Sequence, residues 1–254
     1  MTRRPNVLLF LTDDHGQWAL GSSGNSEVQS PNLDYLARRG TVMENAFTPT
    51  PVCSPARACL LTGRTASQHG VHDYLDNQPE FFERDWMKEE TTLPQLLQEA
   101  GYFTGIVGKW HLGNDATPQP GFNRWSTLAG DYPIDAAGPA RYSLDGRLET
   151  IAGSKASVIT DQAVDFIRTR DRAKPFFLLV GHVQTHSPWS GQPSRLVGRY
   201  DDCSFSSVPS DETYPFGVQN LESRDLIDRT RSSEALANYY AAVTAIDEGV
   251  GRIL

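Results

Sequence analysis

The 254-residue sequence predicts an α/β fold built around a largely parallel central sheet. Three short apolar runs, at residues 7–11, 102–107 and 176–180, have the length and composition of strands that are buried on both faces. Segments with apolar residues at helical spacing alternate with these runs along the chain. Such alternation is typical of domains in which helices cover a parallel sheet.

In the first half of the chain, helices and strands are predicted from local sequence signals. Ser30 and Pro31 suit the N-cap and the first position of a helix, which is predicted to end at Gly40. Residues 41–47 are predicted to form a second strand. Residues 55–62 predict a short helix that ends at glycine 63, since glycine commonly terminates helices.

The second half contains longer predicted segments. Residues 93–100 and 156–168 are predicted to be helices, and residues 232–254 a long amphipathic helix. Residues 117–154 are rich in Gly, Pro and Asp and are predicted to form long loops, as are residues 189–229.

Charge and cysteine content restrict the classes of partner. The formal net charge of -8 argues against nucleic acid or an anionic membrane as the main partner, although a local site can still attract a small anion. Three cysteines are too few for a disulfide framework, which favours a reducing compartment. The apolar run at residues 7–11 is shorter than a signal-peptide core, and no run is long enough to cross a bilayer. We therefore expect a cytoplasmic protein, unless a leader has been removed.

Two adjacent carboxylates, Asp13 and Asp14, follow the first predicted strand. Ligands of open α/β sheets bind beyond the carboxyl ends of the strands. Two carboxylates there are difficult to bury together without a cation, and a hard divalent ion such as Ca²⁺ or Mg²⁺ prefers oxygen ligands. Taken alone, the pair is also compatible with a solvated turn.

A candidate nucleophile, Cys53, lies where the chain enters a predicted short helix. The free N–H groups and the positive dipole at a helix N-terminus attract anions. Arg57, one turn later, would add a fixed charge and several donors on the same side. An isolated cysteine is more often buried and inert, so this interpretation depends on its neighbours.

Basic and titratable side chains follow two further strands. Lys109 and His111 come after residues 102–107 and, on extended backbone, would face the same way. A cation and an imidazole beside an anion pocket suit charge stabilisation and proton transfer. His186 follows the strand at 176–180 and can reach the same edge, whereas His182 is predicted to be structural. The alternative interpretation is that the lysine is an ordinary surface residue and that the histidines are hydrogen-bonded within their own loops and have no role in a site.

Together these residues resemble the sulfatase family of the alkaline-phosphatase-like superfamily. The resemblance covers essentially the whole chain and implies a three-layer sandwich, of which residues 1–254 would form an N-terminal catalytic domain. Four elements carry it, in the family's order and spacing: Pro-Asn-Val-Leu-Leu-Phe-Leu-Thr-Asp-Asp, Pro-Asn-Leu-Asp-Tyr-Leu-Ala, Cys-x-Pro-x-Arg with a following Leu-Thr-Gly, and Gly-Lys-Trp-His-Leu-Gly.

The resemblance implies a modified nucleophile and a metal. Cys53 would be oxidised to formylglycine, an aldehyde that hydrates to a diol, by a maturation enzyme that reads Pro55 and Arg57. Calcium would be held by Asp13, Asp14 and position 53 itself, together with a later Asp-Asn or Asp-His pair.

The resemblance also implies roles for the remaining residues. Arg57 and Lys109 would hold the diol and the sulfate, His111 would assist proton transfer at the diol, and His186 would protonate the leaving oxygen. One diol hydroxyl would attack sulfur and expel the alcohol. The other would lose its proton, so that the carbonyl re-forms and sulfate leaves.

The family's later calcium ligands and a further sulfate-binding lysine follow the helix predicted at residues 232–254. The sequence stops before them, so we expect a truncated form, with weak metal binding and little activity for residues 1–254 alone.

Two other functions share most of these features. A phosphonate or phosphate ester hydrolase of the same superfamily would handle a similar tetrahedral group, and a non-catalytic remnant would at most bind an anion. A sulfated carbohydrate is the first expectation for the substrate and an aryl sulfate the second. Four aromatic residues could line a substrate pocket but could equally belong to the core: Tyr74, Trp86, Trp125 and Trp189.

Overall fold

A computed structural model describes residues 4–75, 83–130, 136–209 and 232–254. Its described strands form one sheet, in the order β1-β6-β2-β3-β4-β5. In chain order these strands are β1 (Val7–Leu11), β2 (Phe103–Gly108), β3 (Arg124–Leu128), β4 (Ala140–Leu144), β5 (Arg147–Ile151) and β6 (Phe176–Gly181). The described α-helices are α1 (Pro31–Arg39), α2 (Cys53–Thr62), α3 (Ala66–His69), α4 (Leu93–Glu99), α5 (Lys155–Thr169), α6 (Ser194–Val197) and α7 (Ser233–Ile253).

The parallel half of the sheet positions the site. Strands β1, β6, β2 and β3 are parallel neighbours, whereas β4 and β5 extend the sheet as antiparallel strands. Gly181 at the end of β6 pairs with Leu11 at the end of β1 and with Gly108 at the end of β2. The segments that follow these three strands therefore leave the sheet at one edge.

Helices cover both faces of the sheet, as predicted. On one face, Phe177 and Leu179 of β6 pack in a cluster with Ala58 and Leu61 of α2. On the other face, Leu178 and Val180 of the same strand lie in a cluster with Ile159 and Ala163 of α5. Successive residues of β6 thus point to opposite buried layers, which explains why this strand is apolar at every position.

Two predicted segments were wrong. Residues 41–47 are exposed and form no strand, because their apolar residues find no neighbouring strand to pair with. The segment 117–154 contains β3, β4 and β5 rather than only loops. Its last two strands are joined at Asp145 and Gly146, whose φ angles of 51° and 90° suit a two-residue Asp-Gly hairpin turn.

Smaller differences concern element boundaries. Helix α2 begins at Cys53 rather than at residue 55, so the cysteine lies inside the first turn. Residues 189–209 are less irregular than expected, since they contain α6 and a 3-10 helix at Gly198–Tyr200. The predicted loop at residues 210–229 lies outside the described residues. No described helix has the length and apolar character needed to cross a membrane.

The free backbone amides at the start of α1 are capped by a residue that is distant in sequence, and not by the side chain of the N-cap residue. Ser30 occupies the cap position, but its hydroxyl accepts a bond from the Gly21 amide and makes no side-chain cap. Asp247 of α7 replaces it, because its Oδ1 atom accepts from the amides of Asn32 and Leu33 at 2.9 and 2.8 Å. The carboxylate thereby satisfies two donors that the helix itself leaves open.

We expect Asp247→Ala to lower the free energy of unfolding by about 1–3 kcal/mol, because two amides lose a buried acceptor. Urea denaturation of residues 1–254, followed by circular dichroism, measures the change. Glu234→Ala, an exposed substitution on the same helix, should alter stability by less than about 0.5 kcal/mol. Equal midpoints for the two variants would show that the cap contributes nothing.

Candidate active site

Asp13 is the centre of a buried charge cluster at the carboxyl edge of the sheet. It follows β1 and is 5% exposed, and its Oδ2 atom forms an ion pair with the ammonium of Lys109. The Arg57 Nη2 atom lies 3.9 Å from the same oxygen. Burial alone would raise the pKa of Asp13, but Lys109 and Arg57 lower it below its usual value. The carboxylate therefore remains ionised between two cations.

Cys53 enters this cluster from the first turn of α2. The residue before it, Val52, makes no side-chain cap, so the amides of this turn are not occupied by a capping side chain. Arg57 follows one turn later, is 5% exposed, and donates from Nη1 to the Lys109 carbonyl at 2.8 Å. Burial raises the pKa of the Cys53 thiol, while Lys109 and Arg57 oppose that shift. The sulfur thus lies beside fixed positive charge.

The backbone between Gly108 and His111 is not extended throughout, so the same-side arrangement that extended backbone would give does not apply. Gly108 and His111 have φ angles of 93° and 60°, so the chain turns sharply after β2. His111 is 3% exposed, and its Nε2–H donates to the Leu75 carbonyl at 2.9 Å. Burial, together with the neighbouring cations Lys109 and Arg57, lowers the pKa of His111 to about 3. Its imidazole is therefore neutral at pH 7, with the proton on Nε2.

His186 faces the second aspartate at the outer side of the cluster. Its Nε2 atom is 3.7 Å from Oδ2 of Asp14, and its Nδ1–H donates to the Ser187 carbonyl at 2.6 Å. Several hydrogen bonds join the segments: the Asp13 amide donates to the Gln184 carbonyl, the Thr185 amide donates to the Asp13 carbonyl, and the Thr185 hydroxyl donates to the Asp14 carbonyl.

His182, interpreted from the sequence as structural, is fully buried. Burial lowers its pKa to about 4, so it is neutral at pH 7.

One cavity of about 570 Å³ joins the first two predicted constellations. Its lining includes both aspartates, the cysteine and the arginine: Asp13, Asp14, Cys53 and Arg57. Lys109 reaches the same cavity wall through its ion pair with Asp13. The structure therefore brings together residues that are far apart in sequence and that can bind an anion next to a sulfur atom.

Two supporting contacts were not apparent from the sequence. The Ser54 hydroxyl accepts from the Leu75 amide at 3.3 Å. This bond connects the first turn of α2 to the residue whose carbonyl binds His111. The Tyr239 hydroxyl of α7 accepts from the Gly16 amide and donates to the Asp14 carbonyl. No local pattern signals either contact, because each partner lies at least one element away along the chain.

Comparison with known proteins decides the family. The sequence model of the sulfatase family matches residues 5–254. The chain belongs to the sulfatase family.

Three curated relatives of this sulfatase have names that refer to amino sugars. N-acetylglucosamine-6-O-sulfatase of Bacteroides thetaiotaomicron is 34% identical over 195 residues, covering 77% of this chain and 33% of the relative. Human N-acetylgalactosamine-6-sulfatase is 34% identical over 226 residues, covering 78% and 43%. Human N-sulphoglucosamine sulphohydrolase is 32% identical over 265 residues, covering 99% and 47%. The chain thus spans between a third and a half of these relatives.

Solved structures share the fold. A structure in complex with its substrate D-glucosamine-2-N,6-O-disulfate gives a TM-score of 0.78 at 24% identity, covering 99% of this chain and 62% of that one. The phosphonate monoester hydrolase of Agrobacterium radiobacter gives 0.65 at 20% identity, covering 98% and 58%. The three-layer, alkaline-phosphatase-like fold expected for a sulfatase is confirmed.

The residues of this sulfatase fit part of the metal site that its family implies. Asp13 and Asp14 place two carboxylates on one side of the cavity, and Asp13 is held ionised. A hard divalent cation takes six to eight oxygen ligands. Among the described residues, no group of three or more His, Cys, Asp or Glu side chains could hold a metal. The described donors therefore correspond to one part of a coordination shell.

Asp115 is a buried carboxyl near this cluster that the sequence did not single out. It is fully buried, and no side chain among the described residues forms a hydrogen bond with its carboxyl oxygens. Burial raises its pKa to about 8, although the His111 amide and Arg57 oppose the shift. The group is therefore mostly protonated at pH 7.

We expect Asp115→Asn to remove a pH-dependent loss of stability. The native protein keeps a proton on Asp115 that the unfolded chain releases above its ordinary pKa of 3.8, so wild-type stability falls between about pH 4 and pH 8. The variant should gain roughly 1–3 kcal/mol over wild type by pH 8 and little at pH 4. Thermal unfolding at four pH values measures this. Asp202→Asn, an exposed control, should follow the wild-type profile; an Asp115→Asn curve parallel to wild type would contradict the expectation.

Proposed function

We propose that the protein hydrolyses sulfate esters of amino sugars with a nucleophile formed from Cys53. The observation that carries this proposal is the single cavity lined by Asp13, Asp14, Cys53 and Arg57, with Lys109 paired to its acidic wall. Membership of the sulfatase family supports ester hydrolysis at this cavity. The names of the relatives from Bacteroides and human support a sulfated amino sugar ahead of an aryl sulfate.

Formylglycine at position 53 would supply the nucleophilic hydroxyl, and Ca²⁺ held by Asp13 and Asp14 would polarise it and balance charge. Conversion of the cysteine requires a maturation enzyme, which is therefore a proposed partner.

Arg57 and Lys109 bind the sulfate group in this proposal. Both cations are buried and are fixed by Asp13 and by a bond between the Arg57 guanidinium and the Lys109 carbonyl. Charges that are already oriented need no reorganisation when negative charge develops on the sulfuryl oxygens. A sulfate ester carries the negative charge that would complement them.

Two histidines handle protons at different places. His111 is neutral because of its burial, and in the sulfatase family the matching histidine assists proton transfer at the modified cysteine, which gives His111 that role in this proposal. His186 is 34% exposed and lies at the outer side of the cluster, beside Asp14. That position suits protonation of the leaving alcohol, because the substrate must extend outward from the buried sulfate pocket.

The test uses the complete gene product, co-expressed with a formylglycine-generating enzyme. Release of sulfate from N-acetylglucosamine 6-sulfate, N-acetylgalactosamine 6-sulfate and N-sulfoglucosamine is measured with added Ca²⁺ and with a chelator, and a phosphonate monoester is assayed in parallel. We expect calcium-dependent release from at least one of the two 6-sulfates, which are the esters; release from N-sulfoglucosamine alone would show hydrolysis of an N–S bond and would contradict the proposal. Faster cleavage of the phosphonate would favour the related hydrolase, and no turnover with a fully converted Cys53 would refute the proposal.

A further inference from the structure

Tyr74 is an exposed aromatic residue that contacts the buried His111. The two ring centroids are 5.2 Å apart at an interplanar angle of 77°, so an edge of one ring meets a face of the other. Tyr74 is 49% exposed, whereas His111 is 3% exposed. The tyrosine therefore carries solvent-accessible aromatic surface next to a residue of the proposed reaction. Trp125, another aromatic considered from the sequence, is 1% exposed and belongs to the core.

Buried hydrogen bonds fix the backbone that carries Tyr74. The amide of the next residue, Leu75, donates to the Ser54 hydroxyl at 3.3 Å, and its carbonyl accepts from His111 at 2.9 Å. Ser54 is the neighbour of Cys53 in α2. The backbone next to Tyr74 is thus held against α2 and His111, and the tyrosine ring itself contacts His111. A preformed aromatic surface loses little conformational entropy on binding.

We propose that Tyr74 forms a platform on which the sugar ring of a sulfated saccharide stacks while its sulfate occupies the pocket of Arg57 and Lys109. This inference rests on the proposed function. Because the cations are buried, a sulfate bound to them leaves the sugar ring nearer the surface. Tyr74 is an exposed aromatic side chain that contacts His111, and the charges of Lys109 and Arg57 act on that histidine. A pyranose has an apolar face of C–H groups, and a flat aromatic side chain in a polar setting is suited to cover it.

The test is the Tyr74→Ala substitution in the complete, matured protein. KM for the hydrolysed saccharide sulfate should rise about tenfold, whereas kcat should change by less than about twofold, because stacking acts on binding. The inhibition constant of inorganic sulfate should stay unchanged, since that ion does not reach the ring. Tyr74→Phe and Tyr74→Trp should keep KM within about twofold of wild type.

Tyr35→Ala is the matched control. Tyr35 lies on α1, is 52% exposed, and its helix packs against α7. KM for this variant should equal that of wild type.

Binding without turnover gives an independent measurement. In saturation-transfer NMR with Cys53→Ala protein, the ring protons of the saccharide sulfate should show a signal that Tyr74→Ala removes. If wild type hydrolyses saccharide sulfates but Tyr74→Ala leaves both KM and the NMR signal unchanged, the platform is refuted and the proposed function stands. If Tyr74→Ala raises the inhibition constant of inorganic sulfate by the same factor as KM, the platform is also refuted. The substitution would then have disturbed His111 or the fold instead of removing a contact with the sugar ring. A wild type that hydrolyses no sulfate ester would refute both.

Discussion

Replacing Cys53 by alanine in the complete gene product is expected to lower kcat by a factor of about 10⁴ or more. Loss of a covalent nucleophile removes the reaction path itself, and residual catalysis comes only from charge stabilisation and substrate positioning. Burial raises the pKa of the unmodified thiol, so an unconverted Cys53 is a poor substitute. Sulfate release by wild type and variant, measured at saturating substrate, gives the ratio.

Mass spectrometry of the peptide that contains Cys53 must accompany this measurement. Activity should scale with the fraction of aldehyde at position 53 across preparations. Cys59→Ala is the matched control, because Cys59 lies on the same helix, is half-buried, and contacts His69 rather than the cavity. That variant should keep at least about half of the wild-type activity. An active preparation in which Cys53 persists entirely as a thiol would contradict the proposed nucleophile.

Asp13→Ala is expected to lower the free energy of unfolding of residues 1–254 by about 3–5 kcal/mol at pH 7. The substitution removes the carboxylate that neutralises Lys109 and Arg57, which are buried cations only 4% and 5% exposed. Removing one partner from a buried charge group costs far more than the net energy of the pair, because the remaining charges stay desolvated. Urea denaturation in the presence of a chelator measures this contribution without bound metal.

Asp14→Ala supplies the comparison. The side chain of Asp14 is 63% exposed and lies 3.7 Å from His186, so its loss should change stability by less than about 0.5 kcal/mol. If both substitutions shift the denaturation midpoint equally, the ion pair of Asp13 with Lys109 does not stabilise the fold. If Asp13→Ala is too unstable to purify, Asp13→Asn can be compared with Asp14→Ala instead. Asn keeps the shape of the side chain but removes its charge, so the difference in denaturation midpoint still reports the loss of the ion pair.

Local patterns located the strands that carry the site but missed others. The run at residues 176–180 was recognisable because a strand buried on both faces is apolar throughout. Strands β4 and β5 contain polar residues and β3 begins at Arg124, so their composition resembled loops, although the Asp-Gly pair at residues 145 and 146 was a usable hairpin signal. Residues 41–47 had strand-like composition but lack a pairing partner, which composition cannot supply.

The sequence by itself determined which residue types were present, in which order, and on which predicted strand ends: the acidic pair, the cysteine with Arg57, and the Lys109 and His111 turn. It also determined the family, because motif order and spacing are properties of the chain. Only the tertiary structure decided that Asp13 pairs with Lys109, that His111 is neutral, and that Tyr74 stays accessible beside it. Those outcomes depend on burial and on contacts between elements that are distant along the chain, and no window of local sequence contains that information.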